Sequence, residues 1–366
     1  METILKQAAE EARLVGASLV VIKNGTPVVE ACYGYSSIEE NKKTTMDTVY
    51  RIASVSKVIV ALCIMRLVEE KLVDIDEDIS SYLGFLIRNP HHPTVPITLK
   101  MLMTQTSSIT DGAEDESSGY NLVNGTNQKV GLRDLLLTSG SHYAVETFDL
   151  EKPGTHFIYS NFGCGILACI IEKVTNCYFT DYVREIILKP LKLDASFIPS
   201  DIKQEDIASL YGVKNNQLVL VRSKAAFLAH EYDRFPLGEN YRGPAGGLFI
   251  SMRDLSTVMM LFLNNGAPLF KKETIDLMLA KHWEGIGTGN YRQKGLQVKI
   301  LNYKDRMVLK GHFGDAYGAR SFMLFNQVKQ MGICFITNGG FIRENPSGFC
   351  DVHEKIIDAF IAKYGG

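Results

Sequence analysis

The chain opens on an apolar–polar pattern of helical period, "METILKQAAEEARL" (residues 1–14), which predicts an amphipathic helix of mixed charge. Two β-branched runs then flank Asn24-Gly25 in "GASLVVIKNGTPVVEACYGY" (residues 16–35), and that dipeptide between such runs predicts a two-residue hairpin. From residue 54 to about 70 the pattern changes. Val55, Val58, Ile59, Ala61, Leu62, Cys63, Ile64, Met65, Leu67 and Val68 leave few polar positions. A helix that is apolar nearly all round is a central, buried one. Residues 74 to about 260 read as mostly helical with long polar loops. "SMRDL" (residues 251–255) has the Ser-x-x-Asp form of a capping box. Strand-like runs return after Gln297 as "LQVKIL", "RMVLK", "RSFMLF" and "GICFIT", and residues 351–363 close the chain as an amphipathic helix. Sheet material at both ends and helical material between predict one sheet built from both termini with a helical lobe inserted. The expected division is a sheet lobe of 1–60 with 245–366 and a mainly helical lobe of 61–244, within one unit spanning 1–366.

Two polar stretches invite other readings. "DIDEDIS" has Ile79 where a calcium loop needs its glycine and Phe85 where it needs a bidentate glutamate, so it reads as a turn and cap before a short helix. "TDGAEDESSGYNLVNGTN" (residues 110–127) has no period and reads as an acidic surface loop. Lining of a site mouth by Tyr120 and the residues around Asp115 is the less favoured reading of that loop.

Composition narrows the function classes. A chain of 366 residues with net charge -2 offers no basic footprint, so no nucleic-acid partner is expected. No apolar run of about 18 residues occurs, so no membrane span is expected. The first residues lack the pattern of a signal peptide, and seven scattered cysteines without a CxxC pair read as buried reduced thiols. Both lead to the expectation of a cytoplasmic protein, with a chain that begins after a removed signal peptide as the alternative. No cofactor or metal motif is present: "HEYDR" and "VHEKI" have no second histidine four residues on. A GxSxG elbow is also missing.

The candidate chemistry begins in "RIASVSKVIV" (residues 51–60), where an ammonium and two hydroxyls head a segment built for burial. Ser54 and Lys57, three apart, share one face of the first helical turn. Burial and the positive end of the helix dipole both disfavour the charged lysine, so its pKa should fall. A neutral amine beside a serine hydroxyl can take its proton, and free N–H groups at the helix start can donate to an oxyanion. Two further stretches join it: Tyr159-Ser160-Asn161 before a second apolar helix, and His312-Phe313-Gly314 running into a strand. SxxK, a polar-x-Asn and a basic-x-Gly, in that order, form the signature of penicillin-recognising serine enzymes.

With "DTVYRIASVSK", "ITLKMLMTQTSSI", "PGTHFIYSN", "GPAGGLFISMRDL", "GHFGDAYG" and "ICFITNGG" in family order, the chain resembles the class C β-lactamase-like serine hydrolases. That family includes β-lactamases, D-alanyl-D-alanine carboxypeptidases, D-aminopeptidases, esterases and acyltransferases. The resemblance implies an α/β (α+β) fold of the β-lactamase/transpeptidase type: a central antiparallel sheet flanked by helices, plus a mainly helical lobe. It implies Ser54 as the acylated nucleophile, with Lys57 and Tyr159 as its proton-transfer partners. Asn161, His312, Phe313, Gly314 and Asp315 would line the substrate site, with the N–H groups of Ser54 and Asp315 as the oxyanion hole. The implied partner is a small ester, amide or peptide, with no cofactor. Gln105 and Ser108 depart from the commoner THTSG form, and Phe313 replaces the usual threonine. The alternatives are a true β-lactamase or carboxypeptidase, and a catalytically silent binding homologue.

Overall fold

The computed structural model describes residues 1–365 apart from 125, 127, 204, 231–233 and 286–292. The strands are β1 (Gly16–Lys23), β2 (Thr26–Ser37), β3 (Lys42–Lys43), β4 (Val49–Arg51), β5 (Leu210–Lys214), β6 (Gln217–Arg222), β7 (Phe249–Ser251), β8 (Trp283–Glu284), β9 (Gln293–Lys294), β10 (Lys299–Tyr303), β11 (Met307–Ala316), β12 (Ala319–Asn326) and β13 (Met331–Thr337). Among the described residues nine of them form one antiparallel sheet in the order β3-β2-β1-β13-β12-β11-β10-β9-β8. The two ends of the chain meet where β1 pairs with β13, Val20 opposite Cys334. The predicted hairpin turns at Asn24 and Gly25, whose φ values of 50° and 76° give the two left-handed residues such a loop requires.

Five helices frame the sheet and the site: α1 (Glu2–Glu11), α2 (Ser56–Glu69), α3 (Asn161–Thr175), α4 (Met252–Leu263) and α5 (Asp351–Tyr364). Alternation along β1 decides what each helix covers. Leu19 and Val21 share a core with Leu5 of α1 and Ile356 and Phe360 of α5. Val20 and Ile22 face the other way and join Met259 and Phe262 of α4. Both faces of the central strands are therefore covered, which explains their nearly unbroken apolar sequence. The second core continues without a break into α2, α3 and the short helices beyond them. Ser251 caps α4 by accepting from the Asp254 N–H, as its motif predicts.

The sequence reading of residues 74–260 as helices and loops needs correction at two places. β5 and β6 form a hairpin whose turn residues Asn215 and Asn216 both have positive φ. β7 pairs with β4, Tyr50 opposite Ile250. That short ladder brings residues 245–248 against the turn that carries Ser54.

No single helix among the described residues is long and apolar enough to cross a membrane. The cysteines are all free. Five are buried, Cys177 is partly so, and Cys32 is exposed against expectation.

Candidate active site

Ser54 lies in a 3₁₀ turn, Ala53–Val55, that leads directly into α2. Ala53 adopts φ 48°, a left-handed conformation that costs an alanine roughly 1–2 kcal/mol. Neighbouring backbone holds it there. The Ile52 N–H donates to the Leu248 carbonyl, Ser56 Oγ donates to the Ala53 carbonyl at 2.6 Å and accepts from the Leu248 N–H, and Ser321 Oγ on β12 donates to the Ile52 carbonyl. On the adjacent strand, a Cβ at Gly314 would stand 2.5 Å from the Ile52 carbonyl oxygen and 2.3 Å from Ser321 Oγ. Only glycine lets β11 approach the serine turn this closely.

Lys57 is fully buried. Its Nζ lies 3.0 Å from Ser54 Oγ, 2.8 Å from Asn161 Oδ1 and 2.8 Å from the Ala245 carbonyl oxygen. The last two partners can only accept, so they claim two N–H bonds of the amine. The third position faces Ser54. Burial pushes the lysine down to about 8, which makes its neutral form accessible near neutrality. Tyr159 donates its hydroxyl to Ser54 Oγ at 2.7 Å. Burial raises the phenol far above its usual range, so Tyr159 stays protonated. Of these groups, Lys57 in its neutral form can accept a proton and Tyr159 can donate one.

Asn161 opens α3, and its orientation comes from a residue the sequence reading missed. Asp111 accepts from Ser160 Oγ, from the N–H groups of Asn161 and Phe162, and from Asn161 Nδ2 at 2.9 Å. A carboxylate there satisfies orphan donors at a helix start and complements its dipole. It also fixes the Asn161 amide so that Oδ1 faces Lys57. Gln105 acts similarly: its Oε1 accepts from the Ser160 N–H at 2.6 Å. Replacing Asp111 by Asn should lower kcat roughly tenfold or more by freeing that amide. It should also move the acid limb of the pH–rate profile to lower pH, because the Asp111 charge raises the Lys57 pKa. A measured limb that stays in place would leave Asp111 with a purely structural role.

Strand alternation turns His312 and Gly314 to one face of β11 and Phe313 to the other, where it packs against the core of α1 and α5. Phe313 lines the cleft and packs on Phe322, Phe349 and His353 at ring-centroid distances of 5.9, 5.5 and 5.6 Å. Gly314 and Asp315 also line it. The expectation for His312 is corrected: it is 1% exposed and lies behind the cleft wall. Its Nδ1 lies 2.6 Å from the Phe313 carbonyl oxygen, which makes Nδ1 the protonated nitrogen. Burial, then Lys294 and Lys57, push it well below its ordinary range, so it is neutral and supplies no charge to a ligand. Arg320 reaches the cleft but is paired with Asp315 and Glu344.

The acidic loop is part of the site. Glu116, Tyr120, Asn121 and Asn124 line the cleft, and residues 119–124 are helical rather than loop. Tyr120 is buried and stacks on Phe162 at 5.1 Å. Nothing local to residues 110–127 signals this. The cleft encloses about 600 Å³. Among the described residues no three His, Cys, Asp or Glu side chains converge as a metal site.

The family model described as Beta-lactamase matches residues 1–347. Among curated proteins, Protein flp of Staphylococcus aureus (strain MRSA252) is 28% identical over 221 residues, covering 60% of this chain and 42% of that relative. The match thus spans less than half of that relative's length. Esterase EstB of Burkholderia gladioli is 27% identical over 204 residues, 55% of this chain and 52% of its own. In structure, the octameric penicillin-binding protein homologue from Pyrococcus abyssi aligns with TM-score 0.76 and 22% identity, over all of this chain and 76% of that one. The D-amino acid amidase from Ochrobactrum anthropi SV3 aligns with TM-score 0.73 and 19% identity, over 100% and 98%.

Proposed function

The chain belongs to the Beta-lactamase family, and from that premise we propose that it is a serine hydrolase of small esters or amides working through an acyl-enzyme on Ser54. The observation that carries this is the Ser54 hydroxyl held at once by Lys57 Nζ at 3.0 Å and Tyr159 OH at 2.7 Å. Neutral Lys57 takes the serine proton as Oγ attacks the carbonyl carbon. The N–H groups of Ser54 and Asp315 receive the oxyanion, and Asn161 holds Lys57 in place. The protonated tyrosine donates to the leaving group and is reprotonated from Lys57. A water then attacks the acyl-enzyme by the reverse transfers. Relatives named as an esterase and a D-amino acid amidase support the substrate class. The presence of Ser54, Lys57, Tyr159 and Asn161 in hydrogen-bonding reach of one another argues against a silent homologue. A panel of esters, D-amino acid amides and β-lactams tests the reading: turnover of none of them would overturn it.

The β-lactamase or carboxypeptidase reading is weaker, because the third motif offers little to a carboxylate. Phe313 has no hydroxyl, His312 is buried and neutral, and Arg320 is already paired with two carboxylates. A missing charge-assisted bond is worth roughly 1.5–3 kcal/mol, or one to two factors of ten. Small activated esters should therefore be turned over at least about tenfold more efficiently than benzylpenicillin, and Phe313→Thr should narrow that gap. Efficient benzylpenicillin hydrolysis with no gain from Phe313→Thr would promote the second reading.

A further inference from the structure

Next to the catalytic cleft lies a second, larger cavity of about 1010 Å³, with Arg51, Asn124, Gly243 and Tyr317 common to both linings. The hydrolytic chemistry above makes no use of it. Its walls come from the end of β6, the segment around Tyr178 and residues 240–247.

Four arginines line this cavity, and each guanidinium lies over an aromatic ring: Arg51 over Tyr317 at 4.8 Å, Arg222 over Phe227 at 5.0 Å, Arg234 over Tyr178 at 4.5 Å and Arg242 over Phe235 at 5.1 Å. Stacking fixes each guanidinium plane and leaves its N–H edges to point elsewhere. Among the described residues only Arg234 has a carboxylate partner, Asp181. The hydrogen bonds of the other three go to main-chain carbonyls: Arg51 to Gly246, Arg222 to Ala226, and Arg242 to Thr126 and Gln128. Arg242 Nε is buried without a hydrogen-bond partner among the described residues. The carboxylate in the wall, Glu172, is occupied by the N–H groups of Phe179 and Gly238 and by the Asn240 amide. Among the described residues, three of these cations have no carboxylate partner, and together beside aromatic rings they give the concavity a positive field next to the catalytic cleft.

We propose that this cavity is a binding site for the remote, anionic end of the substrate: an acyl or amide arm ending in a carboxylate or phosphate, with its scissile group at Ser54. The proposal rests on the hydrolase reading for the scissile end alone. It places anion recognition away from the third motif, where Phe313 has no donor and Arg320 is already paired. The arm is extended and largely apolar along its length, since the cavity walls between the guanidiniums are aromatic, and its charge lies at the far end.

Two arms test it. In the first, 4-nitrophenyl esters of straight acyl chains of graded length, ending in methyl, carboxylate or phosphate, are compared with 4-nitrophenyl acetate. At one or more lengths kcat/KM should favour an anionic end over methyl by tenfold or more, and which anion wins identifies the group. The preference should shrink with added salt, and Arg222→Ala should reduce it about tenfold while Arg222→Lys retains most of it. Acetate turnover without preference for either anion at any length overturns the proposal and leaves the hydrolase reading standing. The second arm removes chemistry: calorimetry on the Ser54→Ala protein with octanedioate and octanediamide. Binding of the dianion and not of the diamide supports the site even if no ester is turned over. Equal binding of both, or of neither, overturns it.

Discussion

Ser54→Ala should reduce kcat on the order of 10⁶-fold, the scale seen when an activated serine nucleophile is removed, and leave the melting temperature within about 2 °C. Ser54 is partly exposed in the cleft, and among the described residues its hydroxyl hydrogen-bonds with Lys57 and Tyr159, so its loss removes chemistry without opening the core. The residual rate reflects cleft and oxyanion donors alone, about 10³ over water. Mass spectrometry after treatment with a fluorophosphonate should show one adduct on Ser54 in the native protein and none in the variant. Ser56 supplies the contrast. It is buried, and its hydroxyl ties Ala53 to Leu248. Ser56→Ala should therefore cost stability, about 1–3 kcal/mol for the orphaned groups, more than chemistry. Retention of activity in Ser54→Ala together with its loss in a folded Ser56→Ala would mean that the nucleophile has been misplaced.

Lys57→Ala should cost about 10⁴-fold in kcat/KM, the upper range for a positioned general base, with a similar loss for Tyr159→Phe. The two losses should not multiply, because one proton path runs through both residues. A double variant whose loss equals the product would separate their roles. The pH dependence follows from burial. The Lys57 pKa falls from the usual lysine range to about 8, so the neutral base is populated above that value and protonated below it. Activity should rise with pH, fall about tenfold per unit well below pH 8, and approach a plateau above it. Tyr159 should set no limb there, since burial keeps its proton on. Full activity at pH 5 would exclude Lys57 as the base.

Much of this was written locally in the chain. Ser54 and Lys57 are neighbours because a helical turn puts positions three apart together, whatever surrounds it. Asn24-Gly25 sets its hairpin, Ser251 caps its helix, and the double-sided burial of β1 and β13 shows in their unbroken apolar runs. Tyr159 and Asn161 stand as one block in the chain, and the structure places that block at the start of α3.

What the sequence left open depends on contacts that only a closed fold makes. Asp111 reaches Asn161 from fifty residues away and carries no local mark of that task, and an acidic loop looks the same whether solvated or folded against a helix start. Alternation along β11 says that His312 and Phe313 face opposite sides, but not which side is the cleft. Pairing with β12 decides the faces: Phe313, opposite Phe322, turns to the core of α1 and α5, and His312, opposite Met323, is buried on the side of α2. The arginines of the second cavity come from positions 51, 222, 234 and 242 and are ordinary surface residues until the hairpin of β5 and β6 and the segment 240–247 enclose them. Short-range order is fixed by propensity and spacing. The environment of a charge is set by which distant segments exclude water from it, and that is decided only when the chain has packed.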